Sequence, residues 1–170
     1  MRAMILKSIV SLDEVDTPLE LVDQPVPEPQ AGEVRVRVTA CGVCHTELDE
    51  IAGRTAPPRL PVVPGHEVIG RVDHLGPGVT RHHEGDRVGI GWIHSSSGTE
   101  TENLSPEFKA TGRDVNGGYA EYLTVPEKYA YPIPEVFSDA QAAPLLCAGA
   151  VGYRAFKLAG LKNGERLGLT

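Results

Sequence analysis

Apolar and polar positions alternate with period two along Val34-Arg35-Val36-Arg37-Val38, the signature of a strand that buries one face. Val68-Ile69-Gly70-Arg71-Val72 and Arg87-Val88-Gly89-Ile90 are β-branched runs of strand length, and Met1-Arg2-Ala3-Met4-Ile5-Leu6, cut by Lys7, reads as a first strand. Gly and Pro punctuate the chain between them, at Gln24-Pro25-Val26-Pro27-Glu28-Pro29, Pro57-Pro58 and Leu75-Gly76-Pro77-Gly78, and discourage long helices. Such spacing favours a compact barrel or sandwich. Helical patterning is confined to two places. Residues 46–52 predict a short helix stopped by Gly53. Ser138-Asp139-Ala140-Gln141 has capping-box spacing and opens a segment over residues 140–159 that Gly160 closes. The ring of Pro144 clashes with a preceding helical turn, so this segment is predicted to split, with a helix from about residue 145. Cys147 then lies near a helix N-terminus, where peptide dipoles favour a thiolate. The tail, residues 164–170, reads as the start of a further strand.

Composition narrows the function classes. With 41% hydrophobic and 23% charged residues the chain is an ordinary globular sequence, which excludes intrinsic disorder and collagen-like repeats. Sixteen Lys and Arg against 23 Asp and Glu leave a formal charge of −7, which argues against nucleic acid as a partner. The longest uncharged stretch, residues 140–153, falls short of the ~20 residues a bilayer span needs, and the first residues lack a small-residue cleavage site, so no membrane anchor or secretory signal is expected. Three cysteines with wide gaps make no disulfide framework and fit a reducing, cytoplasmic setting.

Thiolate and imidazole are ligands for Zn²⁺, and a catalytic zinc needs three protein ligands and one open position. Cys44 follows the Gly42-Val43 turn at a helix start, His66 follows Pro64-Gly65 at a strand start, and Cys147 begins the later helix. Spacing alone does not single these three out, and Cys41-x-x-Cys44 by itself is equally a redox pair or half a zinc knuckle. His82 and His83, beside Arg81 and Glu84, read as exposed turn residues.

The surrounding residues add a resemblance. Cys41-Gly42-Val43-Cys44-His45-Thr46-Glu47-Leu48, Pro64-Gly65-His66-Glu67, Gly85-Asp86-Arg87-Val88-Gly89, Gly117-Gly118-Tyr119-Ala120-Glu121-Tyr122 and Ala143-Pro144-Leu145-Leu146-Cys147-Ala148-Gly149 occur in that order. Together they resemble the catalytic domain of zinc-dependent alcohol dehydrogenases of the medium-chain dehydrogenase/reductase superfamily, over residues 1–170. The resemblance implies a mainly β fold with a few short helices, a GroES-like, partly open β-barrel over residues 1–165. Residues 166–170 would begin the first strand of a Rossmann cofactor domain that is otherwise absent. It implies one catalytic zinc on Cys44, His66 and Cys147, a Lewis acid toward the alcohol oxygen. Thr46 would bond that oxygen and pass its proton on, Asp49 would stand at the end of the relay, and Glu67 would lie close behind the metal. His45 would face the cofactor pyrophosphate, while Trp92 and Tyr119 would line the substrate cleft. Blander roles stay open: Cys41 as a buried apolar thiol, Thr46 as a helix cap, Glu67 as a strand-edge charge, Trp92 as core.

Three departures from the family pattern matter. Asp49 stands where a His often ends the proton relay, and Glu47 replaces a shorter Asp that orients a ligand His, so the longer side chain is expected to misplace that His and Glu47→Asp to tighten zinc. The lobe that carries four Cys around a structural zinc is replaced by Ser95-Ser96-Ser97-Gly98-Thr99-Glu100-Thr101-Glu102-Asn103-Leu104-Ser105, so no second metal is expected and only Leu104 remains there to bury. The Gly-x-Gly-x-x-Gly fingerprint is absent, since Gly89-Ile90-Gly91 runs into Trp92-Ile93-His94 and opens no helix. An intact relative would interconvert alcohols with aldehydes or ketones using NAD(P). This chain alone is expected to lack that activity, as a shortened or engineered domain, and to self-associate through the cleft wall left bare. The alternatives are a non-catalytic zinc-binding or oligomerisation module on the same fold, and a metal-free quinone-reducing relative, against which the three retained ligands argue.

Overall fold

The computed structural model describes residues 1–168. Strands β1 (Arg2–Ile5) and β2 (Glu20–Asp23) pair antiparallel, and β3 (Glu33–Cys41) leads into helix α1 (His45–Ile51). There follow β4 (Val68–Leu75), β5 (Arg87–Ile90), β6 (Ile93–Ser95), β7 (Lys109–Ala110), β8 (Tyr122–Pro126) and β9 (Tyr131–Pro132), then helices α2 (Asp139–Ala142) and α3 (Ala148–Leu158). The main sheet is antiparallel in the order β8-β3-β4-β5-β9, and β6 pairs with β7 apart from it. The fold is therefore mainly β with three short helices, and among the described residues its sheets stay open.

Alternation on β3 does what the sequence requires. Val34 and Val36 are fully buried and join Val68, Val72, Val88, Ile90, Leu123 and Val125 in the largest core cluster, while Arg37 points to solvent. The start of β4, Val68-Ile69-Gly70, is buried on both faces, as suits a central strand. Register shifts between Arg35 and Val36 and between Val38 and Ala40 bend β3 against β4, the kind of irregularity that curls a sheet. The expected strands are present, β5 with the predicted ends and β3 and β4 longer than their apolar runs.

Several expectations are corrected. Residues 165–168 form no strand, and the remainder of the expected tail strand, Leu169 and Thr170, lies outside the described residues. Leu104 is 79% exposed, so nothing apolar anchors its loop. Polar contacts do so instead: Ser96 Oγ donates to Glu102 O at 2.6 Å, and the Tyr129 hydroxyl lies 3.1 Å from both Ser96 O and Glu102 Oε2. His82 is buried, its Nε2 2.9 Å from Glu127 O, whereas His83 is exposed as expected.

The C-terminal segment splits as Pro144 requires, into α2, a 3-10 turn over Ala143–Leu146, and α3. The Ser138 capping box forms: Ser138 Oγ accepts from Gln141 N–H at 3.3 Å, and Gln141 Oε1 accepts from Ser138 N–H at 3.1 Å. Arg87 ties this segment to β5. Its nearly buried guanidinium donates to Asp139 Oδ1 through Nε at 2.9 Å and Nη2 at 2.7 Å, and to the carbonyls of Pro134 and Phe137 at 2.9 and 2.7 Å.

Asp139→Asn leaves that guanidinium buried without its counter-charge, and we expect a loss of about 1–3 kcal/mol at pH 7 in urea unfolding, the lower end reflecting Asp139's partial exposure. The Thr39 hydroxyl contributes most to holding the Asp139 carboxyl below its usual range; burial, the next largest effect, opposes it, and Arg87 and then Arg71 add to the lowering. Its contribution is thus present above the usual carboxylate pKa of ~4 and is lost as pH falls through the lowered value, so the gap between wild type and variant should narrow in acid. A gap independent of pH would contradict the pairing.

Candidate metal centre

Cys44 ends the β3–α1 connection as the N-cap residue of α1, in an extended conformation, and its N–H donates to Glu47 Oε2 at 2.7 Å. Cys147 holds the same position on α3, directly after the 3-10 turn that contains Pro144. His66 lies just before β4 and is 1% exposed. Its approach depends on Gly65, whose φ of 99° disfavours other residues and whose missing side chain leaves room for Tyr119 and the Cys41 sulfur. The strip Gly117-Gly118-Tyr119 braces this segment through N–H groups donated to Val63 O, Gly65 O and Pro64 O at 2.7, 2.9 and 3.0 Å. A Cβ at Gly117 would strike Gly65 O, which is why backbone meets backbone there.

These elements converge. One ligand atom each from Cys44, His66, Glu67 and Cys147 lies within 4.8 Å of the others, and the two sulfurs are 3.7 Å apart. His66 Nε2 is buried without a hydrogen-bond partner. On the opposite side of the ring, Nδ1 lies 2.7 Å from Glu47 Oε1, a close contact though not a straight N–H···O bond. An imidazole nitrogen buried without a partner beside two thiols is costly unless a cation completes it, so the donor set fits a metal, and two sulfurs with one imidazole suit zinc. Glu47, expected to be too long, reaches both the Cys44 N–H and the edge of the His66 ring, one oxygen to each.

The electrostatics of the metal-free site follow from the crowding of acids and thiols. Burial resists ionisation of Cys44, but hydrogen bonds from Thr46, contact with Cys147 and the charge of His66 outweigh it and leave this thiol below its ordinary pKa. Burial, and then the Cys44 neighbour, push Cys147 up to about 12. Burial likewise raises Cys41 to about 12, as befits a packed thiol apart from the cluster. His66 is raised because Glu47 and Cys44 outweigh its desolvation. Glu67 is raised chiefly by burial.

One side of the cluster opens into a cleft of ≈ 530 Å³. Thr46, His66 and Cys147 form its polar end, and Trp92, Ile93, Tyr131, Leu145, Leu146 and Val151 are among its walls, with no Asp, Glu, Lys or Arg. Trp92 meets His66 edge-on, ring centroids 5.0 Å apart at 76°. Thr46 Oγ1 is 3.4 Å from Cys44 Sγ.

Two expected neighbours lie elsewhere. Tyr119 is not a wall of this cleft; it packs behind the cluster against Ala3, Ile5 and Val63, its hydroxyl 3.4 Å from Gly42 O. Asp49 is not in the cleft either. Arg54 Nε donates to its Oδ1 at 2.6 Å, and the largely exposed His45 ring comes within 3.6 Å.

Sequence reasoning missed Glu50, one turn beyond Glu47 on α1, 1% exposed and with Oε1 unpartnered; its i+3 spacing was the available signal. It also left Leu145 and Leu146 without a role. Gly89 and Gly91 give Leu146 its room: a Cβ at either would come within 3.0 Å of that residue. That explains the Gly-x-Gly pair as packing.

Comparisons with known proteins agree on the likeness. The family model for the alcohol dehydrogenase GroES-like domain matches residues 30–135. A probable alcohol dehydrogenase, AdhA, of Mycobacterium tuberculosis is 44% identical over 163 residues, covering 89% of this chain and 47% of that protein. An alcohol dehydrogenase of Geobacillus stearothermophilus is 41% identical over 161 residues, covering 91% and 48%. The crystal structure of an NAD-dependent alcohol dehydrogenase superposes with a TM-score of 0.87 at 32% identity, covering 97% of this chain and 49% of that one. The chain thus spans about half the length of the relatives it matches.

Glu47→Asp shortens the acid that spans Cys44 and His66 and should weaken zinc about 10-fold or more in a competition titration; equal or tighter binding would contradict the spanning role. Burial, reinforced by Glu47 and opposed by His66 and Arg113, raises Glu50 to about 7. A raised carboxyl stabilises below its unfolded pKa, and that stability is lost as pH rises toward 7. In the metal-free protein Glu50→Gln should therefore gain about 1–3 kcal/mol over wild type at pH 8 and little at pH 4.5. Unfolding curves at the two pH values check this.

Proposed function

Because the chain belongs to the alcohol dehydrogenases of the medium-chain dehydrogenase/reductase family through its GroES-like domain, we propose that it supplies the catalytic zinc site of such an oxidoreductase. The observation that carries this reading is the convergence of Cys44, Cys147 and the unpartnered Nε2 of His66 at the polar end of an apolar cleft. A purely structural zinc is closed by four protein ligands. Here one side of the donor set faces the cleft, which supports a site that leaves a position for substrate.

Zinc held by Cys44, His66 and Cys147 would polarise an alcohol or carbonyl oxygen and so favour hydride exchange with a nicotinamide cofactor. The chain's own residues do the rest. Thr46 places its hydroxyl at the polar end, where it can accept and hand on the substrate's hydroxyl proton. Trp92 fixes the His66 ring from the side and, with Leu145 and Leu146, excludes water from the carbon end of the substrate. Glu67, buried beside the thiols and not among the walls of the cleft, lies close behind the three ligands without being one of them. His45, exposed at the start of α1, is the basic contact offered to the cofactor's phosphates, and Asp49, held by Arg54, orients its ring. The substrate is thus a neutral alcohol or its aldehyde or ketone, and the cofactor NAD or NADP. The apolar residues on α3, Val151, Tyr153 and Leu158, are the exposed surface through which self-association would occur. No helix among the described residues is long and apolar enough to cross a membrane.

Metal analysis tests the reading. Protein prepared without chelator should carry one zinc per chain, retained in Cys41→Ser and lost in Cys44→Ser, His66→Ala and Cys147→Ser. Equal zinc in wild type and Cys44→Ser would overturn it.

A further inference from the structure

Cys41-x-x-Cys44 has the spacing of a redox pair, yet the structure gives Cys44 a different neighbour. Its sulfur lies 3.7 Å from that of Cys147, 103 positions away in the chain. Cys41 faces the other way. Its sulfur is packed where a side chain at Gly65 or Gly118 would touch it at 2.9 Å, and it is not among the four groups that converge. A disulfide needs its sulfurs at about 2.05 Å, so the Cys44–Cys147 pair must close by less than 2 Å. Both cysteines are N-cap residues, where chain enters a helix and a small backbone shift disturbs few intrahelical bonds. Cys147 also lines the open cleft, which gives a small oxidant access to the pair.

We propose that the redox partner of Cys44 is Cys147, and that in the metal-free protein a hydroperoxide joins the two in a disulfide that closes the metal site. This rests on the metal site proposed above. One thiol attacks the peroxide, breaking its O–O bond to give a sulfenic acid and releasing water or an alcohol. The second sulfur then displaces the sulfenic hydroxyl as water, forming the S–S bond. Two thiols lose two electrons and two protons, and the peroxide is reduced by two electrons. A zinc ion on the same sulfurs would engage both lone pairs and prevent the attack, so metal content sets the sensitivity.

The test uses the full chain, stripped of metal or loaded with zinc, treated with hydrogen peroxide, and read by intact mass and peptide mapping after alkylation. In the stripped protein we expect a loss of two hydrogens, a Cys44–Cys147 cross-linked peptide, alkylated Cys41, and zinc uptake restored by thiol reductant. Cys41→Ser should behave as wild type. Cys147→Ser should form no internal disulfide and should yield a dimedone-trapped sulfenic acid at Cys44. Zinc should slow the reaction at least 10-fold. A Cys41–Cys44 peptide, or sulfinic acid without any disulfide, would overturn the pairing. If the disulfide forms at the same rate with and without zinc, the pairing stands and the metal assignment fails.

Discussion

The site hangs on one carboxylate. Glu47 sits in the first turn of α1, and its two oxygens face different parts of the molecule, Oε2 the N–H of Cys44 and Oε1 the ring of His66. The first contact fixes where the helix begins and hence where the Cys44 sulfur points. The second fixes which imidazole nitrogen is left for a cation, since an Nδ1 turned to an acid presents Nε2 to the cluster. Loss of this side chain would leave a buried histidine without orientation and a helix without its cap at once. Burial, reinforced by the charge of this same acid, raises a second carboxyl, Glu50, one turn away.

The scaffold delivers the other donors by similarly local means. Both thiols are N-cap residues, and the histidine is lodged at the entry to a central strand. Gly65 and Gly117 let two backbone segments approach without side chains between them, and that contact braces His66. Arg87 fastens the α2 segment to β5, so the 3-10 turn that precedes Cys147 is held over the sheet and Leu146 is packed against Gly89 and Gly91. Stability and chemistry thus share residues.

Much of this was legible in the residues. The alternation of valines around Val36 gave β3 and its buried face, and Pro144 gave the split before Cys147, because both are local effects of pattern and ring geometry. The short pairing of β1 with β2 was half visible, since residues 20–23 bury little and carry no alternating signal. Tyr119 was misplaced for a different reason: an aromatic after two glycines marks a close approach, but not which side of the approach faces the ligand. Likewise Asp49 reads as an available acid until Arg54, five residues on, is seen to occupy it. His82 is buried with its ring against Glu127 O, 45 positions on in the chain. For Tyr119 and His82 contacts between distant segments set the outcome, and no local spacing encodes them.

The central claim is the identity of the donors, and zinc-edge X-ray absorption on the metal-loaded chain tests it most directly. The account predicts a first shell with two sulfurs at about 2.3 Å and the remaining donors nitrogen or oxygen at about 2.0–2.2 Å, with imidazole outer-shell scattering. A shell of three or four sulfurs, or one without sulfur, would contradict it.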